Sequence, residues 1–126
     1  MSEPLVLVAD DDDDILLLVT TRLRRDGFEV VSARDGNEAL TIAREQRPDV
    51  AVLDIGMPGL DGLEVLARIR ADDGLHGMRV VLLTAKAQES DVRRGYTAGA
   101  DLYVRKPFSP AELSMRVRML LDDHSS

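Results

Sequence analysis

A chain of 126 residues, 44% apolar and 31% charged, is sized and composed for one soluble globular domain with a single core. Its net charge of −7 argues against direct binding to nucleic acid or to an anionic membrane, because both are polyanions. The lack of cysteine excludes disulfides, a thiol nucleophile and a thiolate zinc site, and no apolar run approaches the ~20 residues of a bilayer span.

The N-terminal "MSEPLVL" has neither the basic start nor the long apolar region of a secretory signal, so a cytoplasmic location is expected. "LVLVA" (5–9) then reads as a buried strand, and five aspartates, Asp10 to Asp14, follow it. Those five carry much of the net charge, so the acidity is local. In the next segment Ile15, Val19 and Leu23 recur at helical spacing with Leu18 beside them, and Gly27 supplies a stop. "FEVVS" (28–32) is a weaker strand. "GNEALTIAREQRP" (36–48) is a helix with Ala39, Leu40 and Ala43 inward and Pro48 at its end.

"VAVLD" (50–54) is the next apolar strand, and "DGLEVLARIRADDG" (61–74) a helix with Leu63, Leu66 and Ile69 on one stripe. "VVLL" (80–83) and "LYV" (102–104) complete the strands, with a short, less apolar helix over 89–100 between them. The last helix, 109–123, opens with Ser109 as N-cap, Pro110 at its first position and Glu112 closing a capping box; Leu113, Val117 and Leu120 form its stripe.

Val- and Leu-rich runs without polar alternation suit parallel strands covered on both faces. Their alternation with helices predicts an α/β fold of βαβ units, helices on both sides of a parallel sheet. In open sheets of this kind the site lies beyond the carboxyl ends of the strands. Applied here, that rule gathers Asp10 and Asp11 after the first strand, Asp54 at the third, Thr84 after the fourth and Lys106 past the fifth. Taken singly, each is an ordinary turn former or cap. Taken together they are three carboxylates, a hydroxyl and an ammonium on one rim. Three close carboxylates repel unless a cation intervenes, and magnesium suits an all-oxygen donor set that keeps several waters. Such an ion makes an anionic cleft able to accept phosphate. Asp54 can then act as a carboxylate nucleophile, with Lys106 and Thr84 placed to meet phosphoryl oxygens.

"VLVADDDDDILLLV", "PDVAVLDIGMPGLDGLEVL", "VVLLTAK" and "AGADLYVRKPFSPAEL" resemble, in order, the motifs of bacterial response-regulator receiver domains, over about residues 5–121. The resemblance implies a single receiver domain with a doubly wound, flavodoxin-like (βα)5 fold and five parallel strands in the order 2-1-3-4-5. It implies Asp54 as phosphoacceptor, Asp11 as direct metal ligand, Asp10 as a ligand through water and the Gly56 carbonyl as a further ligand. Magnesium is the expected cofactor, with manganese able to substitute. Lys106 would pair with the acceptor and its phosphate, Thr84 would be the switching hydroxyl and Tyr103 the switching aromatic. A cis peptide is expected before Pro107. The implied partners are a histidine kinase or phosphotransfer protein as phosphodonor and a downstream effector domain or protein.

The C-terminal part resembles receivers of winged-helix transcription regulators, with Asp101, Arg105, Glu112, Arg116 and Arg118 on the output or dimer face. Val92 and Leu102 replace an arginine and an acid usual there, so a weakened or altered homodimer is expected. By the resemblance, Gly56 and Lys86 occupy the positions that in receivers tune water access to the phosphoryl group. Asp12 to Asp14 are read as helix-start charge, His76 as a surface residue, Met57 and Pro58 as loop formers, and Gly95 and Gly99 as helix end and turn. "DDHSS" after the last helix suits either a stand-alone receiver or one joined to an effector. Two other readings remain. A haloacid-dehalogenase-like phosphatase needs a carboxylate where Gly56 stands, and a non-phosphorylated interaction module would not need the acidic cluster, Thr84 and Lys106.

Overall fold

Five apolar runs pair side by side, all in parallel, in a computed structural model that describes residues 3–85, 93 and 98–125, of which 123–125 by backbone alone. Among the described residues the chain runs β1 (Leu5–Ala9), α1 (Asp13–Arg25), β2 (Glu29–Ala33), α2 (Gly36–Gln46) and β3 (Val50–Asp54). It continues through α3 (Gly62–Ala71), β4 (Arg79–Thr84), β5 (Leu102–Arg105) and α4 (Pro110–Ser125). The sheet order is β2-β1-β3-β4-β5, as the resemblance implied. The helix expected over 89–100 falls almost wholly outside the described residues, as do Lys86, Val92 and Gly95.

The strand pleat divides the core in two. Val6, Val8, Val52, Val81 and Leu83 face α1 and α4, where Val19, Leu23, Leu113 and Val117 complete the packing. Leu7, Ala9, Leu53 and Leu82 face α2 and α3, against Ala39, Leu40, Val65, Leu66 and Ile69. β3 is buried along its whole length. That two-sided cover is why its sequence does not alternate. Each fully buried Leu or Val contributes about 1.5–3 kcal/mol relative to exposure.

Three details differ from expectation. In α1 the buried set is Leu16, Val19, Thr20 and Leu23, whereas Leu18 is 58% exposed. Thr20 hides the stripe: its hydroxyl donates to the Leu16 carbonyl at 2.6 Å, so a polar residue sits at a core position without an unmet donor. In α3, Val65 rather than Leu63 is buried with Leu66 and Ile69. β2 begins one residue later than read, because Phe28 tucks into the core before the strand starts.

Aspartates start three of the helices. Asp12 accepts from the Asp14 and Ile15 amides, Asp35 from Glu38, and Asp61 forms a reciprocal capping box with Glu64. Such caps are worth about 1 kcal/mol each. Asp12, read as helix-start charge, is thus the side-chain cap of α1. The Ser109 hydroxyl accepts from the Glu112 amide at 3.3 Å, but the Glu112 carboxylate pairs with Arg116 at 3.1 Å, so the capping box expected there is only half formed.

The end of α1 is tied to α4 through Asp26. Its carboxylate accepts from the buried Ser114 hydroxyl at 2.6 Å and from Arg22 Nε at 2.9 Å. Arg118 donates to the Asp26 carbonyl and lies 4.1 Å over the Phe28 ring. The Ser114 bond, then Arg22, hold the Asp26 carboxyl below the ordinary 3.8. A lowered folded pKa adds stability above the unfolded value and loses it as pH falls through the folded one. Ser114→Ala should therefore lower the urea midpoint at pH 7. That deficit should persist down to about pH 4 and shrink below it, which a pH series of urea titrations would check.

Candidate functional site

The carboxyl ends of β1, β3 and β4 sit side by side in the centre of the sheet, and each delivers a polar residue into an otherwise apolar layer. Asp10 follows Ala9, its amide bonded to the Ala33 carbonyl across the gap to β2. Asp54 closes β3 in register with Leu83, and Thr84 closes β4 one residue further on. Lys106 follows β5, its amide donating to the Thr84 carbonyl at 2.7 Å. Backbone pairing thus fixes where all four side chains leave the sheet.

These groups are buried among themselves. Asp10 is fully buried, and Asp54 and Thr84 are 5% and 6% exposed. Lys106 Nζ bridges the two acids, 3.0 Å from Asp10 Oδ2 and 3.2 Å from Asp54 Oδ1. The sequence suggested a partnership with Asp54; the tighter contact is with Asp10. Asp10 Oδ1 accepts the Asp12 amide at 2.9 Å. Its buried Oδ2 meets the ammonium as an ion pair without an aligned hydrogen bond. The Lys106–Pro107 peptide is cis, as expected.

Burial raises the Asp54 pKa, and the neighbouring Asp10 charge raises it further; Lys106 and the backbone amide of Gly56 oppose the shift without cancelling it. Burial alone would lower the Lys106 pKa, but the adjoining Asp10 and Asp54 carboxylates leave it raised. One ammonium between two acids leaves a negative surplus, to which exposed Asp11 adds.

Asp10, Asp11 and Asp54 each offer a carboxylate oxygen within 4.8 Å of the others, the one such cluster among the described residues. The donor set is all oxygen, one buried oxygen lacks an aligned hydrogen bond, and the net charge is negative. Those properties fit a hard divalent cation such as magnesium.

The other predicted residues lie elsewhere. Tyr103 is partly buried on the sheet face covered by α2 and α3. Arg105 is exposed, and Arg116 pairs with Glu112. Asp101 is not a free surface acid: it accepts from Arg70 at 3.0 Å, Arg79 at 3.1 Å and the Val80 amide at 2.8 Å. Met57 is a core residue as well as a loop former. His76 is exposed, its ring against the Asp73 carbonyl. Sequence reasoning missed Arg70, whose guanidinium also donates to the Gly99, His76 and Met78 carbonyls. Nothing in "ARIRADD" distinguishes it from a solvated helix charge.

The model of the response regulator receiver domain family matches residues 6–118. The chain is 46% identical over 116 residues to the DNA-binding response regulator MtrA of Mycolicibacterium smegmatis, covering 92% of this chain and 50% of that protein. It is 49% identical over 121 residues to the transcriptional regulatory protein PrrA of Mycobacterium bovis, covering 96% and 51%. The chain thus spans about half the length of these relatives. Among solved structures, a CheY-like receiver domain protein from Methanospirillum hungatei matches with TM-score 0.92 at 29% identity, over 98% of both chains. The receiver domain of the Francisella response regulator 1452 matches with TM-score 0.90 at 36% identity, over 97% of this chain and 99% of that one.

A raised carboxyl pKa means that the ionised form costs the fold stability above that pKa and nothing below the unfolded value. Asp54→Asn should therefore raise the urea midpoint at pH 7 in magnesium-free buffer. The gain should vanish as pH falls to about 4. A midpoint unchanged or lowered at pH 7 would contradict this account of the charge balance.

Proposed function

This chain belongs to the response-regulator receiver family of two-component signalling, and on that premise we propose that it accepts a phosphoryl group on Asp54 and passes the change to its surface. The observation that carries the reading is the Lys106 ammonium shared between buried Asp10 and Asp54, with the metal-ligating cluster beside it. A histidine kinase or phosphotransfer protein is the phosphodonor. Asp11, Asp54 and the Gly56 carbonyl would hold magnesium, with Asp10 acting through water. When bound, the ion neutralises charge on the acids and on the incoming phosphoryl oxygens.

In the transfer, one Asp54 carboxylate oxygen forms a bond to phosphorus while the bond from phosphorus to the donor's leaving atom breaks; the leaving atom keeps that electron pair. Lys106, already 3.2 Å from Asp54, meets the charge that the phosphoryl group brings, about −1.5 to −2. Thr84 donates its hydroxyl to a phosphoryl oxygen, and Tyr103 moves further inward. The change then reaches the face formed by β5 and α4, where an effector domain or protein reads it. The chain is a signalling acceptor rather than a turnover enzyme.

The phosphatase reading lacks its second carboxylate, since Gly56 stands at that position. An interaction module without phosphorylation has no use for a raised-pKa acid beside a lysine and two further carboxylates. For the dimer face, Asp101 is held by Arg70 and Arg79, and Arg118 by Asp26 and Phe28. Charges committed within the chain are costly to redirect to a second copy, which supports the expectation of a weak homodimer.

With acetyl phosphate and magnesium, the parent chain should become labelled and Asp54→Asn should not; persistent labelling of that variant removes the assignment. Labelling should fall once acid protonates Asp54 and displaces magnesium, because the protonated acid is no nucleophile. Under the same conditions, sedimentation should show a dimer that is weak and insensitive to salt; a tight dimer dissolved by salt would contradict the charge argument.

A further inference from the structure

The loop after the acceptor strand, residues 55–61, is pinned by a helix far from it in sequence. Gly36 opens α2, and its amide donates to the Pro58 carbonyl at 3.4 Å. A Cβ on Gly36 would lie 2.6 Å from the Leu60 carbonyl carbon, 2.7 Å from Leu60 Cβ and nearer still to the Leu60 carbonyl oxygen. Real Cβ atoms do not approach backbone this closely, so any side chain there drives the loop away from α2. At its other end the loop is equally confined: a Cβ on Gly62 would lie 2.6 Å from the Asp54 carbonyl oxygen. The 62 amide closes that turn on the Ile55 carbonyl at 3.2 Å. Between these two close approaches sits Gly56, where a Cβ would lie 3.7 Å from Asp54 Oδ2.

We propose that Gly36 is a positioning residue for the acceptor loop: by having no side chain it lets α2 press residues 58–60 into the place that holds Gly56 against Asp54. This rests on the phosphoacceptor reading above. Gly36 touches neither the acids nor a phosphoryl group. It acts through the loop, as outer-shell groups act on metal ligands by fixing their orientation. Gly62 is the less informative partner, because a side chain there would collide with the acceptor strand itself.

The test is magnesium titration of the folded chain followed through backbone amide resonances. Gly36→Ala should weaken magnesium binding by about tenfold or more, in line with the loss on disturbing an outer shell. It should also shift the Gly56 amide in the metal-free protein. Gly77→Ala should do neither, since nothing lies within 4 Å of a Cβ at Gly77. Ser114→Ala, destabilising but remote, should keep the parent affinity, which separates positioning from general loss of stability. If Gly36→Ala does not fold, Leu60→Gly removes the side chain facing α2 from the loop side and should weaken binding in the same way. Whichever of the two variants folds, parent-like affinity with an unmoved Gly56 amide overturns the proposal. Failure of the parent chain to bind magnesium or to be labelled at Asp54 would instead strike the underlying reading.

Discussion

The arrangement at the sheet edge turns on one cation between two buried anions. Lys106 sits 3.0 Å from Asp10 and 3.2 Å from Asp54, in a setting where neither acid has bulk water to share its charge. At an effective dielectric of ~20, charges ~4 Å apart interact by about 4 kcal/mol, so a missing ammonium would leave a heavy repulsion uncompensated. One positive charge cannot balance three carboxylates, however. The raised pKa of Asp54 records the remainder, after burial has made its own larger contribution. A fold optimised only for stability would replace such a cluster with apolar side chains. Retaining it makes the site receptive to added positive charge.

The rest of the fold supplies the precision this needs. Asp10, Asp54 and Thr84 leave the sheet at positions fixed by strand register, and Lys106 is tied by its own amide to the Thr84 carbonyl. Their side chains are ordered by the same backbone bonds that hold the core. The loop after Asp54 has no such ladder. It relies on close contact with α2 and on the Asp61–Glu64 capping box that starts α3. Strand-borne residues are therefore set by pairing, and the loop-borne Gly56 by packing. The two kinds of support are expected to respond differently to substitution.

Much of this was legible in the sequence because its physics is local or periodic. Apolar runs long enough for strands, aspartates ahead of helices and the rule that sites lie beyond strand ends sufficed to gather Asp10, Asp54, Thr84 and Lys106. Legibility failed where a side chain escapes its type. Thr20 takes a core position by bonding the Leu16 carbonyl, so the buried stripe runs through Leu16, Val19, Thr20 and Leu23 and leaves Leu18 outside it. Arg70 and Asp101 look like surface charges until the fold brings together α3, the start of β4 and the approach to β5. Gly36 was invisible for another reason: the atom that matters is one it lacks. The Asp61–Glu64 box, in contrast, stood in plain spacing as D-x-x-E and could have been read.

The same bridge suggests how a change at the site could travel. Lys106 divides its charge between Asp10 and Asp54, so a phosphoryl group on Asp54 would draw the ammonium toward that side and slacken its hold on Asp10. The residue it draws is joined through its amide to Thr84 and follows directly from β5, the strand that carries Tyr103. At the opposite end of β5 the chain is fastened, with Asp101 held by Arg70, Arg79 and the Val80 amide. A strand anchored at its start and pulled at its end responds most at its end. Motion would then be concentrated around Tyr103, Arg105 and the entry to α4 rather than spread through the sheet. On the proposed function, the Arg70–Asp101 network would be the fixed point against which such a switch works.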